Sequence, residues 1–202
     1  MSTILLRGGF ELEHPLELAL EFLAAYSGYE ADDSSGPASF GERDLRRANR
    51  GGARISAAEI AAILERRGEI ERVLLSIPLD ASLADAPSSV PWIPLTRLFD
   101  AFADIRGIGL SKMTKALHWK RPALIPMLDS VVQAYLTSDD PTIRSTGSFG
   151  KCATALVRSY KQDLDRNRAV LDALRQELAN RGYRLTELRI LDLLIWSVSA
   201  AT

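Results

Sequence analysis

The segment IRGIGLSKMTKALHWKRPALIPMLDSV, residues 105–131, combines a glycine-flanked turn, a run of basic residues and a single aspartate. Gly107 and Gly109 flank Ile108, and hydrophobic residues recur at helical spacing on both sides of this turn. Glycines permit a positive φ and a close backbone approach, so two helices joined by such a turn form a tight hairpin. We therefore predict a helix-hairpin-helix element over 95–136.

Helical spacing extends over most of the chain, and the alternation typical of strands is almost absent. Helices are predicted to begin near Pro15 and at a capping box formed by Ser56 and Glu59, while a long helix is predicted near 149–181, capped by Gly182. The helix before the hairpin is predicted to run to Gly107, with its apolar face made of Leu95, Leu98, Phe99, Phe102 and Ile105. The sequence therefore predicts an all-α protein.

A chain of 202 residues suits one domain over 1–202, or two small lobes that share a core. The proline-rich segment 78–94 is the predicted boundary if there are two lobes. Apolar residues make up 47% of the chain and charged residues 25%, which is typical of a soluble globular protein. The net charge of −1 gives no overall attraction to nucleic acid, so any anion-binding surface must be a local patch.

Several classes of protein are disfavoured by what the sequence lacks. No apolar run reaches the ~20 residues that a membrane span needs, and the first residues lack the pattern of a signal peptide, so we expect a cytoplasmic location and no membrane partner. With one cysteine, Cys152, and two histidines, His14 and His118, neither a disulfide framework nor a cysteine- or histidine-based metal site is expected. No motif for a cofactor is present either.

The basic run is the candidate anion-binding patch. No acid occurs between Arg106 and Leu128, and the second helix of the hairpin begins with free backbone N–H groups that suit a phosphate oxygen. The alternative interpretation is a solvated basic face with no ligand. At the far end of the hairpin we expect a packed Trp119 and a surface His118. The predicted phosphate contacts are Arg106, Gly107, Ile108, Gly109, Ser111, Lys112, Lys115, Lys120 and Arg121.

The arginines of residues 43–54 form a second basic cluster, which includes Arg47. They offer either a further strip of phosphate contacts or salt bridges, because Glu42 and Asp44 lie beside them.

The segment resembles the helix-hairpin-helix DNA glycosylase superfamily, in which a hairpin of the form L-P-G-[VI]-G precedes a P-x-D segment with the catalytic aspartate. Here the hairpin reads Ile105-Arg106-Gly107-Ile108-Gly109, and the aspartate is Asp129 in PMLDS, 20 residues after Gly109. The chain is also similar to an uncharacterised bacterial family that carries the same RPxLIPxxD segment.

The resemblance implies a DNA repair hydrolase that contacts double-stranded DNA through its phosphates and needs no cofactor. Asp129 would stabilise the positive charge that develops on the sugar and orient a water molecule. The base would be flipped into a pocket with aromatic walls. Candidates for that wall are Trp119, Trp92, Tyr26 and Tyr29.

The chain departs from this pattern at two positions of the hairpin. Arg106 replaces the proline, and Ser111 stands where glycosylases with lyase activity place a lysine, while Lys112 is about 100° further round the helix. The implied reaction is therefore monofunctional: hydrolysis of the bond between a modified base and deoxyribose. Two alternatives stay open, because Asp129 has the residue type and position of a helix N-cap. The chain is then a non-catalytic nucleic-acid-binding module or a protein-interaction module.

Overall fold

The computed structural model describes residues 3–25, 35–145 and 147–199. Across these residues the chain forms ten α-helices and one antiparallel two-stranded ribbon, which confirms the predicted all-α class. The ribbon pairs β1 (Ile4–Leu5) with β2 (Glu11–Leu12). The helices are α1 (Pro15–Ala25), α2 (Glu42–Arg50), α3 (Ala57–Glu65), α4 (Arg67–Leu75), α5 (Trp92–Asp100), α6 (Leu110–His118), α7 (Ser130–Leu136), α8 (Phe149–Arg166), α9 (Arg168–Asn180) and α10 (Glu187–Ser199).

Local capping signals fix several helix ends. The N–H of Glu59 donates to Ser56 Oγ over 3.3 Å and the N–H of Ser56 donates to Glu59 Oε2 over 2.7 Å, so the predicted capping box opens α3. Gly182 follows α9 with φ 92°, a left-handed conformation that ends the helix as predicted.

Two predicted helices end earlier than their hydrophobic pattern indicates. The helix before the predicted hairpin stops at Asp100, and the chain reaches Gly107 through turns in which Asp104 has φ 62°, so more than the glycine turn separates α5 from α6. The long helix predicted near 149–181 breaks at Asn167. The side-chain amide of Asn167 accepts from the N–H of Leu5 and donates to its carbonyl, over 2.7 and 2.9 Å. This break therefore anchors the N-terminal ribbon.

A second anchor of the ribbon is Arg7. Its guanidinium donates to Asp163 Oδ2 over 2.7 Å and to the carbonyl of Ser159 over 2.7 Å, so the ribbon is tied to the side of α8. The short N-terminal apolar run thus becomes part of the core, where Ile4 is fully buried.

Helix α8 lies at the centre of the fold and packs most extensively against α5. The two helices approach closely at Gly150, whose N–H donates to Asp100 Oδ1 over 2.7 Å. A Cβ at Gly150 would collide with the carbonyl of Thr96 and with the Asp100 carboxylate. Buried apolar residues from Ile4 to Ile195 form one continuous cluster around these helices.

The proline-rich segment 78–94 is a loop anchored to the rest of the fold. The N–H of Leu83 donates to the carbonyl of Ala123 over 2.8 Å, and Lys161 Nζ donates to the carbonyls of Leu83 and Asp85 over 2.9 and 2.7 Å. Helix α5 begins inside the predicted segment, at Trp92.

The arrangement of the remaining helices positions the candidate site. Helix α10 packs against α1, α7 and α9, and α2 packs against α6. The end of α2, the side of α6 and the start of α7 therefore meet α1 and α10 around a shared space. Among the described residues, every helix is too short or too polar to cross a membrane.

Candidate functional site

Asp129 caps the N-terminus of α7. Its Oδ1 accepts the N–H of Val132 over 3.0 Å, so the N-cap alternative is correct as a description of its structural role. The preceding residue fixes the position of Asp129 relative to the hairpin, because the N–H of Leu128 donates to Oγ1 of Thr114 in α6 over 2.9 Å.

The second carboxylate oxygen of Asp129 has a partner in the last helix. Trp196 donates its indole N–H to Oδ2 over 2.8 Å. The ring of Trp196 in turn meets Phe22 of α1 edge to face, with centroids 6.3 Å apart. Sequence reasoning missed both aromatic residues, since they lie far from the hairpin in the chain and no spacing rule links them to it.

A cavity of about 400 Å³ opens in front of Asp129. Its apolar wall consists of Phe22, Met127, Val132 and Trp196. Its charged residues are Arg50, Lys115, Asp129, Arg189 and Asp192. Gly51 and Gly52 complete the lining without side chains. Asp129 therefore caps a helix and also lines a concave site of the size that small molecules occupy.

Asp192 is the second carboxyl group of the cavity, and it is 3% exposed. Its Oδ1 accepts from the hydroxyl of Tyr160 over 3.0 Å and its Oδ2 accepts from the N–H of Met127 over 3.3 Å. Burial raises the pKa of Asp192 to about 7, against the opposing effects of Arg189 and these hydrogen bonds, and the Asp129 carboxylate raises it further. An aspartate within the apolar run LRILDLLIW was the sequence signal that could have identified it.

Lys115 brings an amine to the same cavity. Its Nζ donates to the carbonyl of Gly51 over 3.0 Å. Burial lowers the pKa of the ammonium group, and the Asp129 carboxylate opposes this shift. Lys115 lies four residues after Ser111 and thus on the same face of α6, one turn later. The amine that accompanies Asp129 is therefore Lys115, and Lys112 points elsewhere.

A carboxylate covers the hairpin turn. Gly107 has φ 85°, and a Cβ at this position would collide with Oε1 of Glu59. The same oxygen accepts from Lys112 Nζ over 2.6 Å, and this hydrogen bond lowers the pKa of the Glu59 carboxyl. Ile108 is buried and Gly109 is the N-cap of α6 in extended conformation. The glycine turn that was predicted to contact a phosphate thus has a negatively charged carboxylate beside it.

Two predicted phosphate contacts are buried in the protein. Lys120 forms an ion pair with Asp44 over 2.6 Å, and the side chains of both residues are buried. The guanidinium of Arg121 donates to the carbonyls of Leu74 and Ile77 over 2.7 and 2.8 Å. Their N–H groups are engaged by protein oxygens, so neither side chain is presented to a phosphate. From the sequence alone the basic run can be interpreted as solvent-exposed, because the oxygens that bind Lys120 and Arg121 are distant in the chain.

The second basic cluster takes part in ion pairs. Arg46 pairs with Glu42 over 2.5 Å, which favours the salt-bridging alternative for that arginine. Asp44 pairs instead with Lys120, which lies outside the cluster.

Four aromatic residues were predicted for a base pocket. The two that the structure describes, Trp119 and Trp92, do not line the Asp129 cavity. Trp119 stacks under the guanidinium of Arg47, 3.6 Å from the ring centroid, and lines a second cavity that shares Arg189 with the first. The indole N–H of Trp92 donates to the carbonyl of Pro87 over 2.9 Å. Tyr26 and Tyr29 lie outside the described residues.

His118 was expected at the surface, and that expectation is wrong. The residue is fully buried, with Nδ1 2.7 Å from the carbonyl of Ile125. Burial lowers the pKa of His118 to about 3, so the ring is neutral. Nδ1 therefore carries the proton that it shares with Ile125. Among the described residues, no group of three or more histidine, cysteine, aspartate or glutamate side chains is placed to hold a metal ion.

Fold and site together define an all-α protein with a helix-capping aspartate at the edge of a charged cavity. The chain belongs to a family of unknown function, DUF6308, which matches residues 21–199. No curated protein and no solved structure matches the chain.

Proposed function

We propose that the protein hydrolyses the N-glycosidic bond between a modified base and its sugar, with Asp129 as the catalytic carboxylate. The observation that carries the proposal is the dual position of Asp129, at the N-terminus of α7 and at the edge of a cavity of about 400 Å³ beside the hairpin. The resemblance of residues 105–131 to helix-hairpin-helix glycosylases supplies the reaction.

The hydrogen bonds of Asp129 are compatible with this chemistry. Each carboxylate oxygen accepts one N–H, from Val132 and from Trp196. A carboxylate offers about four lone-pair sites, so each oxygen can still accept a hydrogen bond from a water molecule. As the base departs, positive charge grows on the sugar, and a fixed carboxylate stabilises that charge and orients the attacking water.

The cavity offers further groups for the leaving base. Phe22 and Trp196 provide an aromatic wall against which a planar base can stack. Because burial raises the pKa of Asp192 to about 7, a substantial fraction of this carboxyl group is protonated at neutral pH. In its protonated form Asp192 can donate a proton to the departing base, while Asp129 stabilises the charge on the sugar.

Base release from modified substrates tests the proposal. In the form that the resemblance implies, the substrate is double-stranded DNA contacted through its phosphates, and the product is an abasic site. We expect Asp129→Asn to lose base release while it keeps substrate binding. Asp139→Asn, an exposed loop position, is the matched control and should retain activity. The proposal fails if a panel of modified duplexes and free nucleosides yields no released base.

A binding protein without catalysis is the second candidate. It is favoured by the capping bond from Val132 to Asp129, which stabilises α7 whether or not chemistry takes place. In that case the wild-type protein and Asp129→Asn bind the ligand of the cavity with equal affinity, and neither releases a base.

A further inference from the structure

The surface of the hairpin is poorly suited to a DNA backbone. Glu59 lies against Gly107 and pairs with Lys112, so a phosphate approaching the turn would meet an ionised carboxylate. Affinity for duplex DNA depends on several lysine or arginine contacts to phosphates. A cation that is already paired with a carboxylate gains little by exchanging it for a phosphate.

The other cations of the basic run do not replace Lys112. Lys120 and Arg121 are buried, and Lys115 faces the cavity. Of the five basic residues among the predicted phosphate contacts, only Arg106 is exposed. Most of the positive charge of the basic run is therefore not presented at the surface of the hairpin. Lys120 and Arg121 lie in the interior and Lys115 lines the cavity. Lys112 is paired with Glu59.

The cavity itself has the charges that an anionic ligand needs. Three cations, Arg50, Lys115 and Arg189, line it together with two carboxyl groups, of which Asp192 is buried and hydrogen-bonded to Tyr160. The three cations outnumber the two carboxyl groups. The rest of the lining includes the apolar and aromatic side chains of Phe22, Met127, Val132 and Trp196. This combination matches a small molecule that carries both a planar ring and an anion.

We infer that the substrate is a free nucleoside monophosphate bound entirely within the Asp129 cavity, with its phosphate against Lys115 and its base against Phe22 and Trp196. The nucleoside part of this inference rests on the proposed N-glycosidic chemistry. A volume of about 400 Å³ lies within the range of roughly 300–1,000 Å³ that small-molecule sites occupy. The cavity supplies the phosphate contacts itself, so the ligand needs no hairpin.

Calorimetric titration of the full chain compares three probes at physiological ionic strength: the deoxyribonucleoside 5′-monophosphates, the matching nucleosides and a short DNA duplex. We expect at least one monophosphate to bind about tenfold or more tightly than its nucleoside, because only the monophosphate pairs with Lys115. The duplex should not bind measurably. Thermal unfolding of the wild-type protein with each probe gives a readout that requires no variant.

Two variants locate the site. Lys115→Met should remove the preference for the monophosphate, whereas Arg106→Met, on the hairpin, should leave it unchanged. The inference is overturned if no monophosphate binds, if nucleoside and monophosphate bind equally, or if the duplex binds and Arg106→Met abolishes that binding.

Failure of this inference is distinguishable from failure of the proposed reaction. Base release from a modified duplex but not from any monophosphate would support N-glycosidic hydrolysis and overturn the free-nucleotide substrate. Binding of a monophosphate by both the wild-type protein and Asp129→Asn, without base release by either, would support the ligand class and contradict the reaction.

Discussion

The indole nitrogen of Trp196 lies 2.8 Å from Oδ2 of Asp129, so the last helix of the fold holds the aspartate that follows the hairpin. This hydrogen bond fixes one oxygen while the N–H of Val132 fixes the other. The carboxylate is thereby oriented by two elements that are independent of each other in the sequence. Orientation of this kind is what a catalytic carboxylate requires.

Replacement of Trp196 by phenylalanine tests this orientation. Trp196→Phe keeps an aromatic wall and removes the donor to Asp129, so we expect base release to fall about tenfold or more, while ligand affinity changes less. The loss of one hydrogen bond to a charged group should lower the free energy of unfolding by about 1.5–3 kcal/mol. Trp92→Phe is the matched control, because its indole donates to the carbonyl of Pro87 and lies outside the cavity. Equal effects of the two variants on base release would contradict an orienting role.

Because of Asp192, we expect the free energy of unfolding to decrease as the pH rises. Its pKa is about 7 in the fold and 3.8 in the reference state, so the folded protein binds the proton more tightly. The contribution of Asp192 protonation to the free energy of unfolding is complete below about pH 4 and is lost as the pH rises to about 7. His118 acts in the opposite direction, because its lowered pKa of about 3 makes stability fall as the pH decreases below about 6.5.

The difference between the wild-type protein and Asp192→Asn isolates the aspartate from the histidine. Denaturant unfolding at a series of pH values should show that this substitution becomes relatively more favourable as the pH rises from about 4 to 7. A difference that stays constant over that range would mean that Asp192 is ionised throughout.

Gly150 is predicted to tolerate no side chain. A Cβ would collide with the carbonyl of Thr96 and the carboxylate of Asp100, so Gly150→Ala should lower the free energy of unfolding by about 1–3 kcal/mol through separation of α5 and α8. Gly68→Ala in α4 is the control, since a Cβ there meets no atom within contact distance and alanine favours a helix by about 0.5–1 kcal/mol. The comparison is made by chemical unfolding, and similar signs for both variants would exclude the steric explanation.

Glu59 is predicted to repel nucleic acid from the hairpin. Glu59→Gln removes the negative charge beside Gly107 and keeps a side chain that can complete the capping box. We expect measurable binding of a DNA duplex at low salt to appear in this variant, with steep salt dependence. Glu65→Gln, an exposed position at the end of α3, changes the net charge equally and should have no such effect. Equal binding by both variants would show that only the net charge matters.

The elements that the sequence predicted well are those determined by neighbouring residues. The capping box of Ser56 and Glu59, the left-handed Gly182 and the N-cap at Asp129 all depend on contacts within a few positions. Helix α5 was predicted too long, because Phe102 is buried in a turn as fully as it would be in a helix.

The cavity could not be predicted in the same way. Its tryptophan and its second carboxyl group come from α10, and its aromatic partner Phe22 comes from α1. The basic run misled for the same reason, since the oxygens that bind Arg121 belong to Leu74 and Ile77. Counting charges along a segment measures the charge of the chain but not its exposure.

The anchoring of the N-terminal ribbon has a consequence for the order of events during synthesis. Leu5 and Arg7 emerge from the ribosome before the groups that hold them, because Asn167, Asp163 and Ser159 are added 152 to 162 residues later. A chain that is translated from its N-terminus therefore carries the ribbon undocked until the end of α8 has emerged. Docking of the ribbon against α8 therefore follows the synthesis of α8, and Ile4, which is fully buried in the finished protein, reaches its final environment only then.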